Sequence, residues 1–279
     1  GCNKKEGPMT PRFICFDLDG TLYLDSCVYL RMIDHFFHDT PYRDWIFPVQ
    51  EQMKQVLSGQ SSLRCGQFVP KQKAEHPKTP EDLFDIPGTA ALLLPDPSPW
   101  LDRTLYSYIS DGWTLGMYLA RRIGWEGEDF WKRFRLVRND LIDPYWGPVP
   151  NPALPVLLKE LKKQGIHVVL CSNAQETNCI ELLDYLGFDD SCFEELCFDA
   201  DKPHTFPQRI AQWGRQFNLS PKEMLFIGDQ GYFDLYSGKT CGASTLLVSP
   251  WNAADAELWD HMVQTPKEME AYLRELCLK

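Results

Sequence analysis

No apolar run in the 279-residue chain reaches the roughly 18 residues needed to cross a bilayer, so a membrane-spanning helix is not expected. Basic residues are in short supply: 28 Lys and Arg stand against 39 Asp and Glu, a formal net charge of −11. Such a surface repels nucleic acid and anionic membranes, so neither is expected as a partner. Any anion this chain binds must meet a local pocket of donors or a bound cation. The 10 cysteines include no C-x-x-C pair. They are scattered, and Cys15 and Cys171 sit inside apolar, strand-like runs, which reads as buried reduced thiols and a cytoplasmic setting. Cys192 and Cys197 lack the second pair that a zinc site would need. Internal repeats are absent too. Residues 1–8 have no apolar h-region and do not form a signal peptide as they stand. They read as a vector remnant ahead of a native start at Met9; a lipoprotein whose signal has been removed would also begin near a cysteine such as Cys2.

What the chain has is globular in proportion: 44% hydrophobic and 24% charged residues. Its length suits one large domain or two modest ones, with core enough to fold without disulfide or metal. Four short apolar runs stand out, at 12–16 (RFICF), 167–171 (HVVLC), 224–227 (MLFI) and 244–248 (STLLV), with a weaker one at 195–198. Between them the pattern predicts helices over 152–164, 176–186, 206–217 and 266–276. The first has Asn151 as a cap, Pro152 in its first turn and Gly165 at its end. Strands alternating with helices imply an α/β fold with a parallel sheet and right-handed crossovers. Ligands in such sheets bind beyond the carboxyl ends of the strands.

Roughly 130 residues separate the first strand from the next core helix, far more than a βαβ unit requires. Helical patterns recur there at about 26–37, 44–57, 103–123 and 129–141, with almost no convincing strand. Residues 25–147 therefore read as an inserted helical domain, in which 58–100, rich in Pro, Lys, Gln and Gly, is a long loop. The core is expected to comprise 9–24 and 148–279.

The unusual polar residues fall at strand ends. Asp17 and Asp19 close the first strand; two carboxylates this near each other repel and separate their pKa values, which suits a nucleophile beside a general acid. Alone, D-x-D-G is also an ordinary turn. Cys171-Ser172-Asn173-Ala174 precedes a helix, where a hydroxyl and free N–H groups could cradle a phosphate or merely cap the helix. Lys202-Pro203 follows the weak strand; a lysine there could hold a phosphate and offset carboxylates. Gly228-Asp229 ends the next strand and Asp234 follows. Carboxylates crowded beside Asp17 and Asp19 are costly without a cation, and an all-oxygen donor set points to Mg²⁺. Each element has a bland alternative; it is their succession at strand ends that carries the reading.

DLDGTL at 17–22, CSN at 171–173, KP at 202–203 and GDQGYFD at 228–234 resemble the haloacid dehalogenase superfamily, chiefly aspartyl phosphatases. The resemblance covers 9–24 and about 150–250. It implies a three-layer Rossmann-like core with a helical cap of the C1 type inserted between the first and second motifs. It implies a small phosphorylated metabolite as substrate. Asp17 would attack phosphorus and Asp19 would act as acid and base. Ser172, Asn173 and Lys202 would hold the phosphate. Asp17, the Asp19 carbonyl, Asp229 and Asp234 would hold the metal, with Asp234 alternatively orienting Lys202. Gln230 and Phe233 depart from the Ser and Asn common beside the last carboxylate, and His204-Thr205 from the commoner Asp-Pro. The cap is longer than usual and rich in tryptophan (Trp100, Trp113, Trp125, Trp131, Trp146), most of it for packing. Asp19 argues against a dehalogenase. A phosphomutase fits the same residues, a phosphonatase would need a cap lysine (Lys54, Lys71, Lys73, Lys78 or Lys132), and a binding protein on this fold would not need the full carboxylate set.

Overall fold

The computed structural model describes residues 8–71, 76–86, 88–92, 94 and 99–278. Cys2, Lys73 and parts of the expected 58–100 loop lie outside the described residues. In chain order the elements begin with β1 (Phe13–Phe16), α1 (Val28–Phe37), α2 (Ile46–Leu57), β2 (Gln67–Pro70) and β3 (Ala90–Ala91). There follow β4 (Tyr106–Ile109), α3 (Gly112–Arg122), α4 (Gly127–Asp140), α5 (Ala153–Lys163), β5 (His167–Cys171) and α6 (Glu176–Leu186). The chain closes with β6 (Glu195–Cys197), α7 (Phe206–Phe217), β7 (Met224–Gly228), α8 (Tyr236–Cys241), β8 (Ser244–Val248), β9 (His261–Val263) and α9 (Pro266–Cys277).

Six strands form one sheet in the order β6-β5-β1-β7-β8-β9, every neighbouring pair parallel. β1 is central, and all four of its residues are buried, as both faces of a parallel sheet must be. Ile14 and Phe16 face a layer shared with α5, α6 and α1, while Phe13 and Cys15 face α7 and α8. On the second face Phe13 packs 5.2 Å from Trp213, which is itself fully buried. Asn151 Oδ1 accepts from Ala153 N (3.1 Å) at the start of α5, as its sequence suggests. The fold is the expected three-layer α/β architecture. The short edge strand β9 and the helix α8 were not legible as elements.

The interval between β1 and α5 departs from the expectation of helices alone. β2, β3 and β4 form a three-stranded antiparallel sheet in the order β3-β2-β4. Residues 58–100 are therefore not one loop, and the helical pattern expected over 103–123 breaks into β4 and α3. Asp111 causes the break. Its Oδ1 accepts from Thr114 N (2.9 Å) and Thr114 Oγ1 lies 3.1 Å from Asp111 N, a reciprocal cap that starts a helix at Gly112. The Tyr-Ser-Tyr-Ile stretch before it has the aromatic and β-branched side chains of a strand. Phe68 of β2 and Tyr108 of β4 meet Tyr232 of the core edge-on at 5.0 and 5.5 Å, and Tyr108 OH donates to Asp255. These contacts seat the small sheet against the large one.

Candidate active site

β1, β5 and β7 lie side by side, so the residues that follow their carboxyl ends meet. Asp17 leaves β1, and its N–H donates to Ile227 O of β7 (2.9 Å). Lys202 Nζ, 3% exposed, donates to Asp17 Oδ1 (3.0 Å), Asp234 Oδ1 (2.7 Å) and Cys171 O (2.7 Å). Three distant segments of the chain thus converge on one lysine. Its loop is fixed by Asn173, whose Oδ1 accepts from Lys202 N (2.7 Å) and whose Nδ2 donates to Lys202 O (3.2 Å). The Asn173 side chain thus braces this loop while the residue itself stays exposed in the lining of a cavity over Asp17. Ser172 is 1% exposed, and its Oγ accepts from Ala174 N (3.1 Å) at the approach to α6.

Asp234 sits in a single π-helical turn, Gly231–Leu235, and its Oδ2 accepts from Gln230 N (3.0 Å). π turns recur at functional sites because they re-aim one side chain. Both Asp234 oxygens are thus engaged, one of them with Lys202. Asp229 differs: its Oδ1 is buried with no hydrogen-bond partner among the described residues. An oxygen from each of Asp17, Asp229 and Asp234 lies within 4.8 Å of the others, and the same holds for Asp25, Asp111 and Asp229. Gly20 makes this crowding possible. Its φ is +74°, and a Cβ there would come 2.4 Å from Asp229 Oδ2.

The electrostatics follow. Burial raises the pKa of Asp17 against the pull of Lys202, and burial with the facing carboxylates Asp111, Asp17 and Asp25 raises Asp229 well above the usual range. Burial pushes Asp234 up to about 7. At Lys202 burial alone would favour the neutral amine, but Asp17 and Asp234 outweigh it and hold the pKa well above normal. The donors are all hard oxygens, one of them orphaned, and this fits a small divalent cation bound at Asp17 and Asp229.

A family model described as a hydrolase, haloacid dehalogenase-like hydrolase, matches residues 11–242. The chain belongs to the haloacid dehalogenase-like hydrolases. A glyceraldehyde 3-phosphate phosphatase of Pyrococcus furiosus is 27% identical over 145 residues, 50% of this chain. The match spans 59% of that relative's length. A Thermotoga maritima protein assigned as a β-phosphoglucomutase shares the fold with a TM-score of 0.53 at 17% identity, over 95% of this chain and 99% of that one. A Bacillus subtilis HAD-type hydrolase bound to magnesium gives 0.50 at 14% identity, over 95% and 99%. These structural likenesses speak for the fold.

Asp19 of this hydrolase is gripped from the stretch between β1 and α5. Arg138 of α4 lies 2.9 Å from Asp19 Oδ1, with both side chains largely buried, and Tyr23 OH donates to the same oxygen. Sequence reading missed Arg138, which is one of many charges on an amphipathic helix. It also missed Asp25, to which Trp113 Nε1 donates (2.8 Å), and Asp111, to which Gln230 Nε2 donates. The departure at Gln230 therefore has a local partner in this chain, Asp111.

A cavity of about 490 Å³ opens over Asp17, Asp19, Ser172 and Lys202, walled by Trp113, Trp131 and Phe134. Trp125 instead donates to Phe36 O (2.7 Å), and Trp146 lies under Arg31 (3.7 Å). A second cavity of about 440 Å³ adjoins it through Lys202 and Phe233, with Trp100 and Lys71 among its lining. Lys54, Lys78 and Lys132 line neither cavity. No helix among the described residues is long and apolar enough to cross a membrane.

Proposed function

We propose that this chain is a magnesium-dependent phosphomonoester hydrolase that acts on a small phosphorylated metabolite through an aspartyl-phosphate at Asp17. The observation that carries the reading is Lys202, bonded at once to Asp17 and Asp234 beside an oxygen of Asp229 that has no hydrogen-bond partner among the described residues. A catalytic centre for phosphoryl transfer needs a nucleophile, a cation and fixed donors in one dry place, since the chemistry is mostly positioning and electrostatic stabilisation. The Pyrococcus relative, named for a three-carbon phosphate, supports a small substrate. In this reading residues 25–147 act as a cap over a core of 9–24 and 148–279, and the cavity beneath it is of metabolite size.

Asp17 attacks phosphorus in line while Lys202 holds the charge that develops on the phosphoryl oxygens. Ser172 Oγ and the backbone N–H groups beside it bind those oxygens. Asp19 protonates the leaving oxygen. After the leaving group departs, Asp19 takes a proton from water, which hydrolyses the aspartyl-phosphate and releases phosphate. Asp17, Asp229 and the Asp19 carbonyl would hold Mg²⁺, which neutralises charge on the phosphate, and Asp234 orients Lys202.

In p-nitrophenyl phosphate assays, turnover is expected with Mg²⁺, to fall at least about 100-fold in EDTA and to return on adding Mg²⁺. Full activity in EDTA would rule the reading out. Quantitative release of inorganic phosphate from natural esters, rather than an isomeric ester, separates a phosphatase from a phosphomutase.

Stability should depend on pH in a linked way. Asp17, Asp229 and Asp234 have folded pKa values raised above the unfolded value of about 3.9. A raised folded pKa gives stability that is present below the unfolded pKa and lost as pH rises through the folded one. Cation-free protein is therefore expected to lose stability from about pH 4 to beyond pH 7, the value near which Asp234 sits. Saturating Mg²⁺ at about 100 times its Kd should add about 2.7 kcal/mol at neutral pH, roughly 5–10 °C in Tm, and far less at pH 5. A melting temperature indifferent to both pH and Mg²⁺ would contradict the cluster's assignment.

A further inference from the structure

The cavity of about 440 Å³ carries a charge that sets it apart in a chain of net charge −11. Among the described residues Lys71, Arg103, Arg121 and Lys202 line it against a single carboxylate, Asp201. In the neighbouring cavity of about 490 Å³ the carboxylates outnumber the cations instead. The basic residues come from separate parts of the chain. Lys71 directly follows β2, Arg103 precedes β4, Arg121 lies in the last turn of α3, and Lys202 follows β6.

Much of this charge is not already spent. Lys202 is committed to Asp17 and Asp234, and Arg103 Nη1 lies 2.8 Å from Asp201 Oδ1. The Arg103–Asp201 pair is exposed on both sides, so water screens it and a ligand can share the guanidinium. Arg121 rests over the ring of Phe130 (4.5 Å) and, like Lys71, forms no ion pair with a carboxylate among the described residues. Asp102 feels the charge of Lys71, but its Oδ1 is taken by Thr104 N (2.9 Å) and Thr104 Oγ1 (2.6 Å), and it does not line the cavity. His204 adds a hydrogen-bonding ring to the lining; partial burial and the charge of Arg103 lower its pKa, so it is neutral at neutral pH.

The basic cavity is continuous with the site of chemistry. Lys202, Asn173, Thr114, Met117 and Phe233 line both cavities, so the two spaces meet at the lysine that would hold the transferring phosphate. A neutral tail lying in the basic space would strip water from cations without offering a counter-charge, whereas an anion is drawn in. We propose that this cavity binds a second anionic group of the substrate, a carboxylate or a further phosphate, with Lys71, Arg103 and Arg121 supplying the charge. This rests on the phosphatase reading above and narrows it to phosphate esters that carry another oxyanion elsewhere on the carbon skeleton.

The test uses the full chain with Mg²⁺ and pairs of esters in which one member has the second anion and the other a hydroxyl in its place. Suitable pairs are 3-phosphoglycerate against glycerol 3-phosphate, propanediol bisphosphate against 3-hydroxypropyl phosphate, and hexanediol bisphosphate against 6-hydroxyhexyl phosphate. In at least one pair the member with the second anion should be favoured by about 10- to 100-fold in kcat/KM. Preference in the first pair assigns a carboxylate, and preference in either of the others a phosphate. The double variant Lys71→Gln, Arg121→Gln should pull that ratio toward one, chiefly through KM of the ester with the second anion. Both esters meet the same protein, so a general loss of fold or activity cancels in the ratio. Raising NaCl from about 0.05 M to about 0.5 M should shrink the wild-type ratio, because exposed cations are screened, and this arm requires no variant to fold. The proposal is overturned if no pair favours the member with the second anion, if the ratio survives the double substitution, or if it is indifferent to salt. Failure of the wild type to hydrolyse any phosphomonoester, p-nitrophenyl phosphate included, would instead remove the phosphatase reading itself.

Discussion

Asp17→Asn is expected to cut turnover of p-nitrophenyl phosphate by at least about 10⁴-fold while the protein remains folded, as is typical when a covalent nucleophile is lost. The amide is nearly isosteric but cannot form the acyl phosphate, so no phosphoenzyme should be trapped by rapid acid quench. Folding should survive for an electrostatic reason. Asp17 is one of several buried carboxylates whose charges repel, and Lys202 keeps its second partner, Asp234, at 2.7 Å. Removing one negative charge relieves the cluster as much as it weakens the lysine's pairing. Initial rates with circular dichroism on the same preparation check both halves. More than about 1% residual activity, with no reversion to aspartate by mass, would show that Asp17 is not the nucleophile.

Lys202→Met should destabilise the fold, which Asp17→Asn leaves intact, and should slow turnover by a smaller factor. The ammonium is buried and donates to two carboxylates and a carbonyl. Methionine fills the space but leaves Asp17 and Asp234 without their cation. Breaking a buried pair from one side typically costs about 3–5 kcal/mol, and losing a donor to the transferring group about 10²- to 10³-fold in kcat. The destabilisation should shrink at low pH, where the stranded carboxylates take up protons, and Mg²⁺ should recover part of it. Urea unfolding at pH 5 and pH 7.5 would reveal that difference; equal losses at both would mean that packing, and not charge, is what Lys202 supplies.

The central sheet was legible because parallel strands covered on both faces are short, wholly apolar runs ending in turns. Asp17, Ser172, Lys202 and Asp229 could be read because each follows such a run directly or by a few residues. Their convergence needed only the rule that parallel strands end on one side. The antiparallel sheet between β1 and α5 gave no such signal. Ala90–Ala91 is two residues long, Gln67–Pro70 ends in proline, and Tyr106–Ile109 runs into a helix whose pattern absorbed it. Arg138 was illegible for another reason. It is a lone polar residue on an amphipathic helix, and only the packing of α4 against the core brings it to Asp19. Asn173 lay in a recognisable segment, yet its amide serves the Lys202 loop, a pairing across some thirty residues that local pattern does not encode.

The guanidinium grip on Asp19 comes from α4, between β1 and α5, and not from the sheet that carries Asp19. If α4 swings away, the carboxylate keeps Tyr23 but loses its guanidinium. If residues 25–147 act as the proposed cap, proton transfer would be tied to its seating, because a phosphate bound without α4 in place would face an acid that lacks its guanidinium. On that reading, water entering such an open form would meet a poorly aimed acid, so protection against wasteful hydrolysis would reside in the α4 contact and not in the nucleophile.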